Sequence, residues 1–320
     1  MRDIHNRFVH DTLRTFFGPK RTWDLPAYGR RLSRDLPARL HDAFRQVAHE
    51  VRCHDEQPVF VLSAGWRSGS TVLQRMIMEN NEDIVIWGEP YDLCNIHDSL
   101  LNQFRAFSGE WPPKSYFLSN MASNDLSDSW VANLYPDVEH LVQAHRNYYR
   151  TLFAEPALRA GRKQWGLKEV RLTIEHAIYF RALYPRSKIL LLYRNPLDAY
   201  RSYRRWNTGV FRTWPDRFIS TPYAFGRNWA EITKGFLEGH NAVDGFLIRY
   251  EDLDDDAHVK RLADYLGWNV PRSSEMRRIR DRQPARATDM PHKTRVSIVD
   301  RVLLHFATGA VRKDAGYAST

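Results

Sequence analysis

Four short runs of apolar residues constrain this chain more than any other feature. They are VFVLSA (residues 59–64), IVIW (84–87), KILLLY (188–193) and GFLIRY (245–250). A strand with one face in water alternates polar and apolar residues, whereas a strand covered on both faces does not. Between the runs lie segments of helical period, such as residues 138–153 and 258–266. Buried strands alternating with helices predict an α/β fold, a mostly parallel central sheet flanked by helices. Ahead of the first run, Leu36, Leu40, Phe44, Val47 and Val51 recur at steps of three and four, which predicts an amphipathic helix. With 320 residues, 43% of them hydrophobic, the chain can bury one large core. We therefore expect a helical N-terminal extension over residues 1–57 and one domain over 58–320. Residues 111–130 and 206–223 are rich in Trp, Pro, Ser and Asn and read as long loops, which in compact domains are commonly functional.

In open sheets of this kind ligands bind beyond the carboxyl ends of the strands. The first run is followed there by Gly65-Trp66-Arg67-Ser68-Gly69-Ser70-Thr71, and a helical pattern opens at Ser70. The segment approaches a Walker phosphate loop, but its glycines stand one residue closer and Ser70 sits where the lysine belongs. Backbone N–H groups and the positive end of the helix dipole would converge on an anion here, with Arg67 adding a planar charged fork. The plainer alternative is a glycine turn with a serine cap.

Three further strings follow strand patterns or resemble them. In Trp87-Gly88-Glu89-Pro90-Tyr91 the proline stops the strand and presents Glu89, as a general base or as a salt-bridge partner of Arg67. His97, eight residues on, is the next candidate base. In WGLKEV (residues 165–170) Lys168 has an apolar setting, where a lone lysine ordinarily snorkels to the surface. In YRNPLDAYRS (193–202) Arg194 comes where the strand stops, Pro196 suits a first helical turn, and Ser202 follows eight residues after the arginine. That arrangement suits a second anion site, or else a basic solvated helix face with Arg201, Arg204 and Arg205. Asp252, Asp254 and Asp256 alternate as in a calcium loop, but Ala257 and Ala263 replace its glycine and its bidentate glutamate, so the run reads as a helix start.

The 47 Lys and Arg against 38 Asp and Glu leave a net charge of +9, which favours an anionic partner. Cys53 and Cys94 are too few for a disulfide scaffold and lack metal-ligand spacing, which suits a reducing compartment. No apolar stretch approaches the roughly 18 residues of a membrane span, so the expectation is a cytoplasmic protein without a membrane span.

Taken in order, WRSGST, WGEP, GLKEV, YRNPLDAYRS and LIRYEDL with the later DYLGW resemble the sulfotransferases that use 3'-phosphoadenosine 5'-phosphosulfate (PAPS), over residues 58–270. The glutamate turn is most similar to the tyrosylprotein and bacterial carbohydrate types. The resemblance implies a P-loop-like fold in which Arg67, Ser68, Gly69, Ser70 and Thr71 hold the 5'-phosphosulfate and Arg194 and Ser202 hold the 3'-phosphate. It places Tyr250 by the nucleotide, Lys168 and Arg67 at the developing charge, and Glu89 on the acceptor's proton. PAPS is then the co-substrate and PAP the product, and no metal is required, because fixed cations do the work of magnesium in a displacement akin to phosphoryl transfer. One departure stands out: related tyrosylprotein enzymes carry an arginine four residues after the serine, where this chain has Trp206. Arg204 or Arg205 substitutes, or that contact is missing. The segment beyond Pro271, where a nucleotide-covering loop is expected, matches too loosely to assign.

Two rivals explain less. A metal-dependent P-loop kinase leaves Arg194 and Ser202 without a task and lacks a strand ending in a magnesium-binding aspartate. A non-enzymatic binder of RNA or heparin-like chains calls for a continuous basic stripe instead of short motifs at strand ends. The acceptor is a small molecule, sugar or peptide and not nucleic acid, and Trp111, Tyr116, Trp130, Trp206 and Trp214 suit the lining of its pocket. Nothing in the sequence speaks to oligomeric state.

Overall fold

A computed structural model describes residues 56–89, 95–105, 107, 112–120, 131–205, 219–268 and 296–317. The expected N-terminal extension up to residue 55, both cysteines, Trp111, Trp130, Trp206, Trp214 and the segment from Pro271 to residue 295 lie outside the described residues.

A five-stranded sheet carries the fold, in the order β2-β3-β1-β4-β5, and each of its four pairings is parallel. The strands are β1 (Val59–Ser63), β2 (Ile84–Trp87), β3 (Gln164–Glu169), β4 (Lys188–Tyr193) and β5 (Gly245–Arg249). Four of them are the apolar runs expected to be strands. β3 is not among those runs, because WGLKE mixes glycine, lysine and glutamate into a short stretch. Its place between β1 and β2 makes it a strand all the same. Gly166 pairs with Val59 on one side and Ile86 on the other. A Cβ at Gly166 would lie 2.2 Å from the Val59 carbonyl oxygen and 2.4 Å from Ile86 Cδ1, so the position has no room for a side chain.

Both sheet faces are covered. On one, Phe60, Leu62, Leu167, Ile189 and Leu191 pack with aromatic residues of the flanking helices; Phe60 stacks on Phe180 at 4.1 Å between ring centroids. On the other, Val59, Val61, Leu190, Leu192 and Ile248 meet Leu73, Met76, Ile77, Val259 and Leu262. Burying each such large aliphatic side chain contributes about 1.5–3 kcal/mol, and this double coverage is why the strands read as unbroken apolar runs.

The helices are α1 (Ser70–Asn80), α2 (Ile96–Arg105), α3 (Val138–Tyr149), α4 (Glu155–Arg159), α5 (Ile174–Leu183), α6 (Pro196–Arg205), α7 (Pro222–Gly239), α8 (Asp256–Leu266) and α9 (Ile298–Asp314). A π turn, Arg150–Ala154, joins α3 to α4. The acidic run is a helix start, as expected, since the Asp255 carboxylate caps the Ala257 N–H at the head of α8. A third apolar cluster, with Trp66, Tyr200, Tyr203, Phe225 and Leu304, ties the loop after β1 to α6, α7 and α9. No helix among the described residues is long and apolar enough to cross a membrane.

Candidate active site

The loop between β1 and α1 is built from left-handed backbone at every second position: φ is 81° at Gly65, 66° at Arg67 and 93° at Gly69. Alternation of this sort turns successive N–H groups toward one concavity, a shape that suits an anion. Arg67 holds it without the freedom of glycine, a strain of roughly 1–2 kcal/mol. Ser68 is fully buried and its hydroxyl donates to the carbonyls of Ala64 and Gly65, both at 3.0 Å, so its side chain braces the loop from within. The serine cap considered from sequence is not what forms: Gly69 occupies the cap position, no side chain caps it, and Ser70 and Thr71 open α1. A Cβ at Gly69 would lie 2.1 Å from Tyr250 Cδ2, which is how closely the tyrosine ring rests on the loop.

Arg194 follows β4 directly. Its guanidinium lies over the Tyr250 ring, 4.4 Å from the centroid, and its Nη1 donates to the Arg67 carbonyl at 3.3 Å. Among the described residues, the Nε of Arg194 is buried without a hydrogen-bond partner. Arg67 in turn donates from Nε to Ser202 Oγ at 3.0 Å. Residues 135 positions apart therefore meet, and the two anion sites expected from sequence are one continuous polar cluster. The side chain of Arg67, expected at the phosphosulfate end, reaches toward the Arg194 and Ser202 end. Asn195 caps α6 by accepting from the Leu197 N–H at 2.9 Å, which sets Pro196 in the first turn and carries Ser202 two turns on. Of the arginines that were to replace the one missing at Trp206, Arg204 is engaged by Asp300 of α9 at 2.7 Å, and nothing is described of the Arg205 side chain.

At the other end of the sheet edge, Lys168 Nζ lies 2.5 Å from Glu89 Oε1. The lysine side chain is 6% exposed and the glutamate 22%, so Lys168 does not snorkel. Glu89 pairs with Lys168 in the place considered for Arg67. A buried ammonium needs such a partner, since desolvation alone would cost several kcal/mol. Beside them, Glu169 grips Arg171 through both oxygens and also accepts the Val170 N–H at 2.8 Å. Burial pushes the Glu169 carboxyl above the usual carboxylate range against the pull of Arg171, and the nearby Glu89 charge pushes the same way. His97 is buried with its Nδ1 on the Tyr149 hydroxyl at 2.9 Å. Burial first, then the charges of His176 and Arg171, push its pKa down to about 3, which makes it a weak base. Sequence reasoning passed over Trp66, Glu169, Arg171 and Trp229. Only the position of the last, whose indole donates to the Arg194 carbonyl at 2.9 Å, bears on the anion cluster directly.

The family model described as "Sulfotransferase family" matches residues 58–272. The chain belongs to the sulfotransferase family. The matched stretch runs from β1 through α8 and leaves α9 outside. No curated protein matches this sulfotransferase chain. Among solved structures, it is similar to the sulfotransferase domain of the Synechococcus PCC 7002 olefin synthase, at 16% identity over 84% of this chain and 98% of that one, with a TM-score of 0.45. It is similar too to the sulfotransferase domain from the curacin biosynthetic pathway, at 19% identity over 83% and 99% of the two chains and a TM-score of 0.42. A third is mouse sulfotransferase SULT7A1 complexed with PAP, at 17% identity over 78% and 67%, with a TM-score of 0.37.

Proposed function

We propose that this sulfotransferase transfers the sulfuryl group of PAPS to a hydroxyl or amine of its acceptor by in-line displacement and releases PAP. The observation that carries the reading is the cluster at the carboxyl ends of β1 and β4, where Arg194, Arg67 and Ser202 meet and the Arg194 Nε lies buried with no partner among the described residues. A 3'-phosphate supplies the acceptor that this nitrogen lacks, because the rigid guanidinium fork suits phosphate oxygens. The 5' end lies over the loop, where the N–H groups of residues 67–71 and the α1 dipole meet it. Arg67 contributes its charge between the two ends, and Tyr250 flanks the nucleotide.

In the transfer step the acceptor oxygen bonds to sulfur as the bond from sulfur to the bridging oxygen breaks, and the acceptor's proton passes to Glu89. Lys168 Nζ donates to the bridging oxygen as charge develops there. A preorganised donor of this type is typically worth about 3 kcal/mol, and a positioned base about 10²–10⁴ in rate. These fixed cations take the part that magnesium plays in phosphoryl transfer, so the reaction proceeds without a metal. We assign residues 58–320 to the catalytic domain and the protein to the cytoplasm, with a small molecule, sugar or peptide as acceptor.

The test is incubation of the purified chain with labelled PAPS and a panel of sugars, phenols, peptides and alcohols, with and without EDTA, followed by mass spectrometry. A sulfated product that forms equally with EDTA is the expected result. No transfer to any acceptor, together with no binding of PAP, overturns the proposal.

A further inference from the structure

The peptide unit between Arg194 and Asn195 is held at both of its polar atoms by side chains. Its carbonyl oxygen accepts from the Trp229 indole at 2.9 Å, and its N–H donates to Glu251 Oε1 at 3.1 Å. Glu251 follows β5 by two positions, so the late strand reaches across to fix the turn that starts α6. The second oxygen of Glu251 accepts from the hydroxyl of Tyr317 at 2.6 Å. Tyr317 lies at the far end of the chain, beyond the segment that matches the sulfotransferase model, and is only 7% exposed.

Local chemistry explains how it arrives there. The helix α9 closes in a Schellman turn: the Tyr317 N–H donates to the Arg312 carbonyl and the Gly316 N–H to that of Lys313, both at 2.9 Å, with φ 85° at Gly316. The turn directs the Tyr317 ring inward against Tyr193, edge to face at 6.3 Å, and against Trp229 at 6.4 Å. Tyr317 thus touches both side chains, Glu251 and Trp229, that hold the Arg194–Asn195 peptide. Burial, and then the bond and charge of Glu251, hold its phenolic proton far above the usual range, so the hydroxyl acts as a donor throughout the working pH range.

We infer that Tyr317 is a positioning residue for the 3'-phosphate end of the nucleotide site, acting through Glu251 on the peptide that aims Arg194. The inference rests on the proposed PAPS reading. It adds a contribution from the C-terminal helix that the five motifs do not contain. Without the hydroxyl, Glu251 Oε2 loses its protein donor, and the carboxylate of this exposed residue turns toward water, which loosens its hold on the Asn195 N–H. Arg194 then samples more orientations, and only a ligand that contacts Arg194 registers the change.

The full-length chain and its Tyr317→Phe variant are titrated calorimetrically with PAP and with 5'-AMP, and amide hydrogen exchange is followed on the peptide spanning Arg194 and Asn195. The phenylalanine keeps the ring packing against Tyr193 and Trp229, so the variant folds. PAP affinity should fall roughly tenfold while 5'-AMP affinity stays within about twofold, and the Asn195 amide should exchange faster. A variant that binds PAP as tightly as the parent overturns the inference and leaves the sulfotransferase reading standing. Equal weakening toward both nucleotides, or unchanged exchange at Asn195, also overturns it, since each signifies general loosening or none. A parent chain that does not prefer PAP over 5'-AMP overturns the PAPS reading, and the inference with it.

Discussion

Lys168 and Glu89 stand 79 residues apart in sequence and 2.5 Å apart in space, the lysine on the inner strand β3 and the glutamate just beyond the neighbouring β2. An acid and a base in contact at the carboxyl edge of a sheet suit a reaction that takes a proton from one oxygen and leaves charge on another.

Replacing Glu89 by Gln keeps the shape and an acceptor for Lys168 while removing basicity. Turnover should fall at least about tenfold, with PAP affinity little changed. Steady-state kinetics alongside calorimetry separate the two effects, and full turnover in the variant would remove Glu89 from the mechanism.

Arg194 is the residue that should distinguish nucleotides. The parent chain should bind PAP between about thirtyfold and a thousandfold more tightly than 5'-AMP, the equivalent of roughly 2–4 kcal/mol from charge-assisted contacts. Arg194→Ala should erase most of that preference by weakening PAP and leaving 5'-AMP nearly untouched. Equal affinities in the parent would sink the assignment of the 3'-phosphate site.

Arg67→Gly removes a charge and relieves a strained backbone at once. The left-handed φ of 66° suits glycine, and the gain of roughly 1–2 kcal/mol offsets the lost bond to Ser202, worth about 0.5–1.5 kcal/mol. The thermal midpoint should hold steady while PAP affinity and turnover drop. A variant that binds PAP normally would place Arg67 outside the nucleotide site.

His97 makes stability depend on pH. Its folded pKa of about 3 lies below the ordinary 6.5, so the unfolded chain takes up the proton first. The stability this confers is complete above pH 6.5 and is lost as pH falls toward 3. By pH 5 the loss from this group should reach about 2 kcal/mol. His97→Gln keeps a polar partner for the Tyr149 hydroxyl and should flatten the dependence measured by denaturant titration between pH 7 and 5. A slope identical to the parent's would show that His97 is already neutral in the unfolded chain or charged in the folded one.

The sequence by itself determined four strands, their parallel arrangement and the order of the motifs, because those depend on local pattern: an apolar run buried on both faces, a glycine-bearing loop, an arginine where a strand stops. Pro196 placed the start of α6 in the same way. What only the tertiary structure decided involves partners remote in the chain. WGLKE carries no strand pattern of its own and becomes β3 because β1 and β2 close on either side of Gly166. Glu89 had two plausible roles, general base or partner of Arg67, and the register that sets Lys168 beside Val61 brings the lysine to it instead. Arg67 reaches Ser202 across 135 residues, and Tyr317 reaches Glu251 across 66. No period or local motif encodes such contacts, since they depend on where the sheet and its helices bring distant side chains within hydrogen-bonding range.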